Sequence, residues 1–215
     1  MPVSVTFCPL CNTAVVYDRR LDGKVLDFGT TGKMRNSDLV MYDRQTESWW
    51  QQSLGKGIIG EMTRKTLKAV TARLESWANF RKRAPEGLVK VPNNSSMRAH
   101  GANPYAGYDS LPKPFLYSGK MPKNEPPLLG MVSLVDRNNG WRLDLLKAKK
   151  EILLDDGLVL RWEPGQNSAL DTSKIADGND IGNVMAQRDG KDMPYFVDFA
   201  FAFHPFFPEA TIPAK

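Results

Sequence analysis

An Asp-Gly turn between two short apolar runs occurs twice in this chain, and no other feature constrains its fold as strongly. Ala14-Val15-Val16-Tyr17 and Val25-Leu26-Asp27-Phe28 flank Leu21-Asp22-Gly23-Lys24. Ile152-Leu153-Leu154 and Leu158-Val159-Leu160-Arg161-Trp162 flank Asp155-Asp156-Gly157. Gly adopts positive φ without steric cost and Asp tolerates it, so Asp-Gly in this setting predicts an antiparallel hairpin. Leu39-Val40-Met41-Tyr42 and Ser48-Trp49-Trp50-Gln51, joined through Asp43 to Glu47, read as two more strands, and Leu129 to Val135 as another. In YFVDFAFAFH, residues 195 to 204, every odd position is large and apolar, which predicts a half-buried strand with His204 at its end.

Helical spacing is confined to one region. Leu67, Val70, Leu74, Trp77 and Phe80 fall three or four residues apart, but Thr63, Thr66, Val70 and Thr71 are β-branched and weaken the first part. The expectation is a strand followed by a short helix from the N-cap Ser76 to Arg83, stopping before Pro85. Residues 92 to 127 are rich in Pro, Asn, Gly and Ser and form a long loop, of the kind that is functional or packed rather than slack. The chain has 215 residues, enough to bury a substantial core. The expected fold class is α+β and β-rich: a single compact domain over residues 1–215, mostly antiparallel strands and hairpins, with one or two short helices and long loops.

The net charge is +5, and residues 61 to 90 carry the whole surplus, with eight basic residues against three acidic ones. The stretch from 64 to 90 is a solvated face or a place for an anionic partner. No RNP-like aromatic pattern or finger spacing accompanies it, so no nucleic-acid motif is present. No apolar run approaches the roughly 20 residues of a membrane-spanning helix. Met1-Pro2-Val3 leads straight into an expected strand, with no secretory signal before it.

Chemistry concentrates in Cys8-Pro9-Leu10-Cys11, which holds both cysteines of the chain. Three readings stand: a redox dithiol, half of a metal site, or a structural pair closed as a disulfide or buried reduced. A thioredoxin-type site needs the first cysteine at a helix N-terminus, whereas Asn12-Thr13 and another expected strand follow here. A second CxxC is missing, which excludes a zinc ribbon within one chain. His100 and His204 are the only histidines. Thiolates with imidazole suit Zn or Cu, so the leading expectation is a soft-metal site of Cys8, Cys11 and His204, with a thiol-disulfide enzyme as the alternative. His100, Asp43, Tyr105, Tyr108 and Asp109 are weaker candidates: Asp43 belongs to an acidic turn, and the two tyrosines and Asp109 sit together in the long loop. Ser37-Asp38, Asp43, Glu47 and Asp109 are the polar residues of a hydrolase reading, but no GxSxG, Walker, HExxH or GxGxxG pattern supports one.

The order of blocks resembles a bacterial family of unknown function, domain of unknown function family 3179. VTFCPLCNTAVVYDRRLDGKVLDFGTTG (5 to 32), NSDLVMYDRQTESWW (36 to 50) and ESWANFRKRAPEG (75 to 87) look like its first three blocks. NPYAGYD (103 to 109), WEPGQNSALD (162 to 171) and AFHP (202 to 205) complete the pattern. The resemblance marks the CPLC box as a signature and implies an extracytoplasmic protein, but supplies no activity. Family members usually carry a leader and a Trp-His-Glu segment ahead of the box and a His before the proline of the third block, where this chain has Ala84. These departures make an N-terminally short member the expectation.

Overall fold

The structure, a computed structural model, describes residues 1–100, 102–134 and 138–213. The chain opens with a hairpin of β1 (Val3–Cys8) and β2 (Thr13–Asp18), in which Cys8 pairs with Thr13. Asp22 and Gly23, at φ 48° and 77°, make the first expected turn between β3 (Arg20–Leu21) and β4 (Lys24–Val25). Next, β5 (Phe28–Arg35), β6 (Asp38–Asp43), β7 (Trp49–Gln51) and β8 (Lys56–Ile59) form a four-stranded antiparallel meander. Residues 68 to 70 run antiparallel to β2, where the Val70 N–H donates to the Val16 carbonyl at 2.8 Å. The expected helix follows as α1 (Trp77–Arg83), with Ser76 as N-cap: its Oγ accepts from the Asn79 N–H.

The second half contains β9 (Gly130–Leu134), β10 (Gly140–Arg142), α2 (Leu143–Lys149), β11 (Glu151–Leu153), β12 (Leu158–Glu163), β13 (Asn183–Arg188), β14 (Lys191–Asp192), β15 (Tyr195–Phe199) and α3 (Ala200–Phe203). Two antiparallel sheets result, in the orders β10-β9-β15 and β11-β12-β13-β14. The second Asp-Gly turn joins β11 to β12 as expected, with Gly157 at φ 77°. The expected end of β9 at Val135 lies outside the described residues. The fold class is α+β and β-rich, and no helix among the described residues is long and apolar enough to cross a membrane.

One strand departs from expectation. The run 195 to 204 is a strand only to Phe199 and then turns into α3, so His204 follows a helix rather than ending a strand. Ala200, Phe201, Ala202 and Phe203 are all buried, so both faces of the segment are covered. Periodicity separates strand from helix only where one face meets water, and an all-buried run carries no such signal.

The two halves meet through β2 and β15. The Phe199 N–H donates to the Cys11 carbonyl at 2.8 Å, and the buried Thr13 hydroxyl donates to the Asp198 carboxylate. The Arg73 guanidinium holds Asp192 through Nε and Nη2, at 2.7 and 2.6 Å. Apolar packing surrounds the CPLC turn itself: Cys8, Leu10 and Cys11 share a buried cluster with Tyr108, Leu170, Phe199 and Phe201. Trp50, Trp141 and Trp162 are likewise core residues, whereas Trp77 is exposed.

Candidate functional site

Two hairpin tips build the site. Between Cys8 and Thr13 the chain reverses through Pro9, Leu10, Cys11 and Asn12, with Asn12 in the left-handed region at φ 59°. Between Arg35 and Asp38 it reverses through Asn36 and Ser37 alone, at φ 52° and 61°. Two successive positive φ values define the type I′ turn, whose twist matches that of the flanking strands and fixes the register. That register turns Asp38, first residue of β6, inward on the same side as Val40, and both are buried.

Where the tips meet, the Cys11 thiol donates to Asp38 Oδ1 at 3.1 Å and the Cys8 thiol faces the Ser37 carbonyl at 3.7 Å. One ligating atom each from Cys8, Cys11 and Asp38 lies within 4.8 Å of the others, and all three residues are buried. Two ligands on one tetrahedral zinc lie roughly 3.3–3.8 Å apart, given bonds of about 2.0–2.3 Å. Cys11 Sγ and Asp38 Oδ1 therefore need part by only a few tenths of an ångström to share an ion. The other oxygen of Asp38 is already held, accepting from the Ser53 N–H at 2.9 Å and the Gln51 side-chain amide at 2.5 Å. That support orients Oδ1 toward the sulfurs, as outer-shell partners orient metal ligands.

Electrostatics separate the two thiols. The neighbouring Cys11 side chain lowers the Cys8 pKa, against the opposing effects of burial and of Asp38. Backbone N–H groups of Cys11 and Leu39 add to the lowering. Burial raises Cys11 well above its ordinary value, and its bond to Cys8 and the Asp38 charge push the same way. Burial also raises Asp38, despite its bonds from Ser53 and Gln51. Without a cation the cluster must keep protons, because three anions together in a dry site repel one another.

A stability prediction follows from Asp38. Its raised folded pKa means that the metal-free folded state favours the protonated carboxyl, so this group's stabilising contribution is present below the unfolded carboxylate pKa and is lost as pH rises toward the raised value. Asp18, held at about 2 by its bond from Arg20, acts in the opposite sense. Thermal melts of metal-free wild type and Asp38→Asn should therefore diverge as pH rises above about 4, with the variant gaining relative stability. Parallel pH profiles would contradict this.

The remaining sequence candidates lie elsewhere. His204 is not among the ligating atoms gathered with the sulfurs; its Nε2 sits 3.1 Å from Glu125 Oε2 at the wall of a cleft. His100 is exposed, with its N–H donating to the Arg98 carbonyl. Asp43 caps its own turn, accepting from Thr46 and from the Trp50 indole N–H at 2.8 Å. Tyr105 is exposed beside Asn103, and Asp109 accepts from the Ser168 hydroxyl at 2.5 Å. Tyr108 does reach the site: its hydroxyl donates to the Leu10 carbonyl at 2.8 Å, tying the long loop onto the CPLC turn. Tyr108→Phe leaves that buried carbonyl unpaired and should cost about 1 kcal/mol in denaturant melts. In the basic stretch, Lys65, Arg73 and Arg83 pair with Asp22, Asp192 and Glu75, and the Arg81 guanidinium lies over the Trp77 ring.

Asp38 is the member that sequence reasoning left out of the ligand set. The available signal was a carboxylate at the inward position of an apolar strand, DLVMYD, directly after a two-residue turn.

Together these features define a β-rich α+β protein whose distinguishing element is a buried thiol, thiol and carboxylate cluster at two meeting hairpin tips. The chain belongs to the family described as Protein of unknown function (DUF3179), whose model matches residues 1–210. No curated protein and no solved structure matches it.

Proposed function

We propose that this protein binds a metal ion through Cys8, Cys11 and Asp38. The observation that carries the reading is the convergence of their three ligating atoms within 4.8 Å in a buried setting. Two thiolates and a carboxylate suit zinc, which accepts both sulfur and oxygen, whereas Cu(I) would use the sulfurs alone. The backbone N–H groups aimed at Cys8 support it further, because they stabilise the thiolate that a metal ligand must be. The buried hydroxyl of Ser37, on the same turn as Asp38, has no hydrogen-bond partner among the described residues and is a candidate fourth donor. We read residues 1–215 as one domain around this site, joined by the contacts of β2 with β15.

Protein purified without chelator should hold close to one zinc per chain by elemental analysis. It should lose that zinc in Cys8→Ser. Absence of zinc in both, with no uptake on titration, would contradict the reading.

The asymmetry of the thiols favours a second reading, thiol-disulfide exchange. In it the Cys8 thiolate attacks a substrate disulfide, releasing one thiolate and forming a mixed disulfide. Cys11 then gives its proton to Asp38 and attacks Cys8 Sγ, releasing the second thiolate and closing the Cys8–Cys11 disulfide. Disulfide-reducing activity in metal-free protein that disappears in Cys8→Ser would select it over the metal site.

A further inference from the structure

His204, which the metal cluster does not use, stands at a cleft lined by charged residues. The cleft measures about 960 Å³ and runs between residues 117–125 of the long loop and residues 204–213. Its volume is within the range of about 300–1,000 Å³ typical of small-molecule sites. Lys120, Lys123 and Arg142 line it, and among the described residues Glu125 is its one acidic lining residue. The Glu125 side chain is only 8% exposed and is engaged by His204 at 3.1 Å, so its charge is directed at the imidazole rather than at the opening. Arg142 binds Asp144 through Nε and Nη2, which leaves its Nη1 donors free of that pair. Pro122 and Pro205 stiffen the two rims.

From this we infer that the cleft binds a small anionic ligand, one carrying carboxylate or phosphate groups, with Arg142 donating through its Nη1 edge and Lys120 and Lys123 as the mobile cations. Guanidinium matches the planar geometry of either oxyanion, while lysines supply point charge. The inference does not rest on the metal reading, although the two sites are neighbours: Tyr117 and Met121 line the cleft and also pack against the cluster that contains Cys8 and Cys11.

Calorimetric titration of the full chain with inorganic phosphate and, separately, with citrate tests it. Saturable one-to-one binding of at least one probe is expected, weakened about tenfold or more in Arg142→Gln and in the double variant Lys120→Gln/Lys123→Gln. The two lysines are exposed loop residues, so the double variant stays informative should Arg142→Gln disturb the start of α2. The pair Arg81→Gln/Lys82→Gln on α1 should bind as wild type does, and so should Cys11→Ser, which separates this cleft from the metal site. Preference for phosphate or for citrate identifies the oxyanion, and either supports the assignment. Absence of saturation with both probes would overturn it. So would an equal loss of binding in the α1 variant, which would mark general surface charge.

Discussion

Cys11→Ser should lower zinc affinity at least about 100-fold while His204→Ala leaves it within about threefold. Cys11 is fully buried at the centre of the cluster, facing the Cys8 sulfur and Asp38 Oδ1 together. Serine fits the same space and retains a hydroxyl for Asp38, so the fold should survive, at a cost of about 1–3 kcal/mol for placing a hydroxyl where a thiol was. What it removes is a soft, polarisable donor, and neutral serine does not replace a thiolate on zinc. His204 is the control that matters, since it is the third ligand the sequence points to, while in the structure it pairs with Glu125 outside the gathered ligands. Competition titration with a chromogenic chelator, alongside circular dichroism of each variant, gives both numbers. Equal loss in the two variants would return His204 to the site and remove the geometric basis for Asp38.

Zinc affinity should also rise steeply with pH, by about tenfold or more per unit between about pH 6 and 8. The sign follows from the protons that the metal-free site holds. Burial raises Cys11 well above its ordinary value of 9.0, so its thiol stays protonated across this range and zinc must displace that proton. Each displaced proton contributes one decade of affinity per pH unit. Asp38, also raised, adds a displaced proton toward the acidic end, while the lowering of Cys8 makes its proton the easier of the two thiol protons to displace. Cys11→Ser should flatten the profile, because the proton that dominates it is gone. A wild-type affinity independent of pH would mean that the ion is held by groups that do not titrate there.

Local chemistry explains which parts of this structure were legible in the sequence. Both Asp-Gly turns and the Ser76 cap are instructions carried by two or three adjacent residues, and each appears where it was expected. The run 195 to 204 was misread because its alternation of Phe and Ala is filled on both sides by tertiary contacts, so the odd positions were not a face. α2 had no counterpart in the expectations from sequence: of its seven residues only Leu146 is buried, which leaves little periodicity to detect.

The site divides in the same way. Cys8 and Cys11 announce themselves by spacing. Asp38 lies 27 residues beyond Cys11 and joins it only because an Asn36-Ser37 turn and the CPLC turn arrive at one place. The link between Tyr108 and Leu10 spans 98 residues and gives no local trace either, although an aromatic in a glycine-bearing loop is where a packed anchor is expected. His204 shows the converse case. Its rarity in the composition drew it into the metal set, but rarity says nothing about distance, and its carboxylate partner comes from the long loop.

X-ray absorption at the zinc edge of the loaded protein is the most direct test of the central claim. The account predicts a mixed shell, with two sulfurs at about 2.3 Å and oxygen at about 2.0–2.2 Å, and a fall to one sulfur when Cys8→Ser, which loses its zinc on purification, is reloaded with excess zinc. A shell of nitrogen and oxygen alone, or one that retains both sulfurs in that variant, would contradict it.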